Sequence, residues 1–158
     1  NDLIGRFKQT RVPGHKICFE ITETAAMSNL TSAIGFMERL RKFGCRFALD
    51  DFGTGLSSFG YLKSLPVDYV KIDGVFVRDM LEDDIDHAMV KAIHHVGRIM
   101  GKKTVAEYVE SRSVLAELRE IGIDYVQGYA IGQPSLLDDA LPMRRQDQSV
   151  VRLVVSHC

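Results

Sequence analysis

One rhythm constrains this chain more than any other feature. Five short β-prone runs, at residues 16–21, 46–50, 68–73, 103–107 and 124–128, alternate with helix-like stretches. The stretches at 30–43, 57–64, 85–100 and 113–121 carry apolar residues at helical spacing. Gly44, Gly101 and Gly122 close three of them, and Pro66 follows the short one. Glu82-Asp83-Asp84 gives the third an acidic start that suits a helix N-terminus, and Asp86 reads as part of the same cap. Strands separated by helices pair in parallel. Parallel strands are buried on both faces, which explains Phe47-Ala48-Leu49, a run with no polar alternation.

Each run also ends on a polar residue: Glu20, Asp50, Lys71 with Asp73, Glu107 and Gln127. In a barrel of parallel strands those ends converge on one face, where active sites form. An open doubly wound sheet would instead place its site in one crevice, with a Gly-rich phosphate loop. Gly53-Thr54-Gly55 follows a strand but lacks that loop's spacing. The expected fold is therefore an α/β (β/α)8 TIM-type barrel, here a partial barrel of about the last five βα units. A whole barrel runs to ~250 residues. The chain has 158 residues and starts at Asn1, so the other units are expected upstream. Residues 1–143 are assigned to this domain portion and 144–158 to a C-terminal tail, in which 150–155 is β-prone.

Composition narrows the function classes. With 20 basic and 21 acidic side chains, the formal charge of −1 offers no electrostatic footprint for a nucleic acid polymer or an anionic membrane. No apolar run approaches the ~18 residues of a membrane span. Cys18, Cys45 and Cys158 have neither zinc spacing nor a disulfide pattern, which points to a reducing, cytoplasmic setting. A membrane anchor, if any, would lie upstream. Cys18 and Cys45 are expected as small core residues. His87, His94 and His95 share one helix, without metal-ligand spacing, and are expected on a partly solvated face. Arg144-Arg145 is too small a basic step for a nucleic-acid patch.

Glu20, Asp50, Asp51, Lys71, Glu107 and Gln127 would face one cavity. Gathering four carboxylates in one cleft is costly unless cations neutralise them. Oxygen-only donors suit hard ions such as Mg²⁺ or Mn²⁺. Two adjacent aspartates in a turn can reach two ions, the layout of a two-metal hydrolase. Lys71 adds a fixed positive charge for a water or a phosphate. From spacing alone, a set of ordinary solvated strand-end residues stays open beside this reading.

Five segments, taken in order, resemble successive motifs of the EAL domain family. They are Phe19-Glu20-Ile21-Thr22-Glu23-Thr24, Ala48-Leu49-Asp50-Asp51-Phe52-Gly53-Thr54-Gly55, Leu65-Pro66-Val67-Asp68-Tyr69-Val70-Lys71-Ile72-Asp73, Val105-Ala106-Glu107-Tyr108-Val109-Glu110 and Tyr125-Val126-Gln127-Gly128-Tyr129. The resemblance covers residues 16–134. It implies metal-dependent hydrolysis of cyclic di-GMP to linear pGpG with two Mg²⁺ or Mn²⁺ ions, and inhibition by Ca²⁺. Glu20 and Asp50 would be ligands of the first ion, Asp50 would bridge, and Asp51 would hold the second. Lys71 would position the nucleophilic water, with Glu107 supporting metal and water. Gln127 would stand behind the ligands, Glu23 would anchor the loop after Asp51, and Asp73 and Glu110 would support the site. The loop Phe52-Gly53-Thr54-Gly55 would join dimer contacts to the substrate. A homodimer and upstream sensory or GGDEF-type domains are further implications.

The sequence departs from the family pattern in three places. Tyr108 stands where Gly is common and could narrow the site or offer a stacking surface. Gln133 stands where a basic residue is frequent. The Glu-Ala-Leu signature and the Asn-bearing strand after it, each supplying a metal ligand, would lie upstream of Asn1. A degenerate EAL domain that senses cyclic di-GMP without cutting it is the alternative function. The filled ligand positions favour the enzyme, and an isolated 158-residue piece is expected to be inactive and prone to associate.

Overall fold

The computed structural model describes residues 5, 12–54 and 59–134. Gly55, the boundary at 143 and the tail at 144–158 lie outside the described residues. A 3-10 turn at Gly14–Lys16 leads into β1 (Cys18–Thr22). Then follow α1 (Glu23–Ser28), α2 (Leu30–Arg41), β2 (Arg46–Phe52), α3 (Phe59–Leu62) and β3 (Tyr69–Ile72). The rest are α4 (Gly74–Arg78), α5 (Asp84–Ile99), β4 (Lys103–Ala106), α6 (Arg112–Ile121) and β5 (Tyr125–Val126).

All four strand pairings are parallel, and the spatial order β1-β2-β3-β4-β5 repeats the order in sequence. A doubly wound sheet reverses its order once. This sheet never does, so it is the wall of a (β/α)8-type barrel. None of the described helices is long and apolar enough to cross a membrane.

Register sorts the side chains between two faces. Phe19 with Phe47, Leu49 with Val70, and Ala106 with Val126 are cross-strand partners that belong to or pack on the core. Helices cover that face with Met37, Leu40, Val90, Ile93, Val114 and Leu118, each buried. The opposite, concave face carries the alternating set, including Glu20, Asp50 and Lys71. Cys18 pairs with Arg46 on that face and is exposed. This corrects the expectation of a core cysteine: strand parity points the thiol away from the helices. Cys45 is buried as expected.

Two strands open with the same triplet, Asp68-Tyr69-Val70 and Asp124-Tyr125-Val126. In each, the aspartate accepts from the second residue of the neighbouring strand: Phe47 N donates to Asp68 Oδ2 at 2.9 Å, and Thr104 N to Asp124 Oδ2 at 3.0 Å. The valines enter the core side. The tyrosines meet edge to face on the concave side, at 5.8 Å between centroids. Arg46 donates to Tyr69 Oη at 2.8 Å, and Lys103 lies 5.3 Å from the Tyr125 ring. On the concave face, bases and tyrosines thus occupy the strands' N-terminal end, and Glu20 and Asp50 lie toward the C-terminal end.

Two helices are absent from the sequence expectations. α1 begins on Thr22, whose Oγ1 accepts from Ala25 N at 3.3 Å, and α4 on Asp73, whose Oδ1 accepts from Val75 N at 2.8 Å. With six and five residues, both are too short to display a period. The expected helix face for His94 is also corrected. Its ring is 4% exposed, beneath β4, with Nδ1 2.7 Å from Thr104 Oγ1. His87 instead bridges to Glu117 of α6 at 2.7 Å.

Candidate active site

Lys71 is the centre of the concave face's acid end. It is 2% exposed, and its ammonium meets Glu20 Oε2 at 3.1 Å, Asp50 Oδ1 at 2.7 Å and Glu107 Oε1 at 2.7 Å. Three strand ends, β1, β2 and β4, therefore close on one residue of β3. One of its donors goes to Glu20 Oε2, and the other two carboxylates lie at ion-pair distance. Burial works against the charge. The contacts with Asp50 and Glu107, and their charges, outweigh it and hold the lysine protonated well above its ordinary pKa.

Asp50 and Asp51 are adjacent, and a regular strand would send them to opposite faces. The β2–β3 register slips between Leu49 and Phe52, and Asp51 takes φ 54°. That local irregularity swings Asp51 to the same end. One oxygen each from Asp50, Asp51 and Glu107 then lie within 4.8 Å of one another. Burial, followed by the charges of Asp50 and Asp73, raises the Asp51 carboxyl above its ordinary range. Burial raises Glu107 to about 7, against the stabilising Lys71 and with help from the charges of Asp50 and Asp51.

Around this cluster, Glu23 is buried and accepts from Gly53 N at 3.3 Å and from the Tyr61 hydroxyl. It ties α1, the turn after β2 and α3 together. Gly53 has φ 111°, and a Cβ there would meet Phe76 Cε2 at 2.5 Å. Thr54 Oγ1 donates back to Asp51 O at 3.1 Å. Phe52 is buried, with Phe59 5.6 Å away. Asp73 caps α4. Gln127 continues the β4–β5 ladder through its N–H to Ala106 O at 2.8 Å. Its buried Oε1 has no hydrogen-bond partner among the described residues. Glu110 is exposed, three residues past Glu107 and outside the lysine-centred cluster. Tyr61 and Phe76, which hold the turn, escaped the sequence reading. Neither lies near a strand end, where polar residues gave the signal.

The donor set fits a divalent metal ion. All the converging groups are oxygens, hard ligands for a hard cation. Like-charged carboxylates with oxygens within 4.8 Å of one another repel, and a cation would relieve that repulsion. The unpartnered Gln127 oxygen leaves room for a further contact.

A barrel wall with oxygen donors and a buried lysine at its strand C-termini defines a barrel enzyme whose acid cluster could bind a metal ion. The sequence model of the EAL domain family matches residues 1–134, and the chain belongs to that family. The cyclic di-GMP phosphodiesterase PdeB of Shewanella oneidensis is 52% identical over 126 residues, covering 80% of this chain and 15% of that protein. The probable cyclic di-GMP phosphodiesterase PdeA of Escherichia coli K12 is 41% identical over 137 residues, covering 87% of this chain and 19% of the relative. A solved PaMucR phosphodiesterase in complex with c-di-GMP superposes with a TM-score of 0.82 at 33% identity, covering 87% of this chain and 56% of that one. The chain therefore spans under a fifth of the length of these two curated relatives.

Proposed function

We propose that the protein containing this chain hydrolyses one phosphodiester of cyclic di-GMP to linear pGpG, using two divalent cations, Mg²⁺ or Mn²⁺. The water oxygen forms a bond to phosphorus, the P–O3′ bond breaks, and the leaving oxygen takes a proton. The observation that carries the reading is the meeting of Asp50, Asp51 and Glu107 within 4.8 Å beside a buried lysine, in a chain with phosphodiesterase relatives.

Glu20, Asp50, Asp51 and Glu107 are the residues that would hold the ions. A cation bound there would act as a Lewis acid and lower the pKa of water. Lys71 keeps its proton, fixes Glu20, Asp50 and Glu107, and puts positive charge where phosphate charge builds. Glu107, with a cation beside it, would stay ionised and help hold the ion and its water. Glu23 keeps the turn after Asp51 in place by gripping Gly53 N. Asp73 fixes the start of α4, and Gln127 offers its free oxygen from just past β5. Glu110, exposed and outside the cluster, would support the site from beyond it. The turn through Phe52, Gly53, Thr54 and Gly55 would couple substrate to a second subunit in a homodimer. Sensory or GGDEF-type domains upstream, a cytoplasmic location and a domain ending near residue 143 complete the proposal.

The test is product identity. The intact protein, given cyclic di-GMP with Mg²⁺ or Mn²⁺, should release pGpG, resolved by chromatography. Binding of cyclic di-GMP with no pGpG formed would replace the enzyme by a receptor.

A further inference from the structure

Tyr108 holds a backbone conformation that side chains resist. Its φ is 52°, in the left-handed region that glycine enters freely. A tyrosine kept there against its local preference calls for a compensating role.

Two neighbours fix the ring. Its Cβ, Cγ and Cδ2 lie against Gly74, where a Cβ would come within 2.2 Å of Cδ2. The Arg78 guanidinium carbon is 4.2 Å from the ring centroid, over a face. Gly74 and Arg78 are the first and last residues of α4, which starts directly after Asp73. The ring thus bridges the C-terminal ends of β3 and β4, next to Glu107. Even so, Tyr108 is 52% exposed. It fills no core. Since its base rests on Gly74 and Arg78 covers one face, the outer part of the ring is what solvent reaches.

We propose that Tyr108 is a substrate-binding residue: its immobilised ring is the platform on which one purine base of the cyclic dinucleotide stacks, with Arg78 as the positioning residue that holds it. The inference rests on the phosphodiesterase reading. A cyclic dinucleotide brings a flat base within a few bonds of each phosphate. With a phosphate at the acid–lysine cluster, a base beside it needs a flat apolar partner. Tyr108 adjoins Glu107 in sequence and offers that surface at the rim. A ring already pinned by Gly74 and Arg78 loses little further freedom when a base settles on it.

The experiment uses the intact protein and four variants. Tyr108→Gly removes the ring and suits the backbone better than tyrosine, so folding is not put at risk. Its Kd for cyclic di-GMP, measured by calorimetry in EDTA so that nothing is cut, should rise about ten-fold, within the range for one base on one aromatic ring. Its KM with Mg²⁺ should rise by a similar factor, with a smaller change in kcat. Tyr108→Leu should behave like Tyr108→Gly, and Tyr108→Phe like the parent. Arg78→Met should raise KM about threefold. A Tyr108→Gly variant with parental Kd and KM, or a Phe variant as impaired as the Gly one, overturns the platform and leaves the phosphodiesterase intact. A parent that neither binds nor cleaves cyclic di-GMP overturns both.

Discussion

At Lys71, one buried ammonium meets three carboxylates from three strands. Removing it should therefore cost stability as well as rate. Lys71→Met leaves Glu20, Asp50 and Glu107 facing one another. Stripping one partner from a buried ion pair costs ~3–5 kcal/mol, and about 3 is expected because Glu20 and Asp50 keep 19% and 20% of their side-chain surface. Urea titration of the intact protein in EDTA should register the loss in this domain's transition. Added Mg²⁺ should recover part of it, since a cation would replace the missing charge. Glu107→Gln keeps the shape but loses the charge that would hold a cation, and should lower kcat about a hundred-fold or more in steady-state assays. Much of this residue-level chemistry was legible. Strand-end Glu20, Asp50, Lys71 and Glu107 declared themselves by position and type. The convergence of Asp51 with Asp50 was expected as well, but the backbone feature that produces it was not. That feature is a register slip against β3, a tertiary event that strand alternation would have argued against.

Among the elements, α5 meets β4 through a polar contact between His94 and Thr104. Thr104 Oγ1 donates to Asp124 Oδ2 at 3.3 Å, so the 2.7 Å contact has His94 Nδ1–H donating to Thr104. Nε2 is then a buried lone pair without a partner among the described residues. Burial lowers the His94 pKa, as do Arg98 and His95 of the same helix, against the opposing charge of Asp124. With a depressed folded pKa, the unfolded chain binds the proton first. The contribution is complete above the ordinary value of about 6.5 and is lost as pH falls from there toward the folded pKa. The unfolding midpoint should fall over that window, and His94→Asn should flatten the slope. A second contact couples elements at Gly74 and Tyr108. Gly74→Ala should destabilise the domain by about 1–3 kcal/mol through overpacking. Adding Tyr108→Gly should restore most of that in a double-mutant cycle. Neither contact could be read from the sequence. Apolar periodicity identifies the buried stripe of α5 but not the histidine under it, and α4 has too few residues to show a stripe at all.

At the scale of the molecule, architecture was the most legible part. Alternation predicted parallel pairing, and polar strand ends predicted the barrel. The unbroken order β1-β2-β3-β4-β5 has the same origin, because each strand returns through its own crossover to its neighbour's side. Element ends were less legible. β5 has only Tyr125 and Val126, because the chain turns at Gly128, φ 154°, where a Cβ would strike the Val109 backbone at 2.3 Å. The consequence of this layout is a charge-sorted concave face: tyrosines and bases at the N-terminal end of the strands, and acids around a lysine at the other. The claim that the acid end is a metal-dependent phosphodiesterase centre is tested most directly by the rate of pGpG formation through metal removal and return. The intact protein should lose turnover in EDTA and regain it with Mg²⁺ or Mn²⁺, while Asp50→Asn should stay at least about a hundred-fold slower after metal is restored. Turnover that survives EDTA, or an Asp50→Asn variant as fast as the parent, would contradict it.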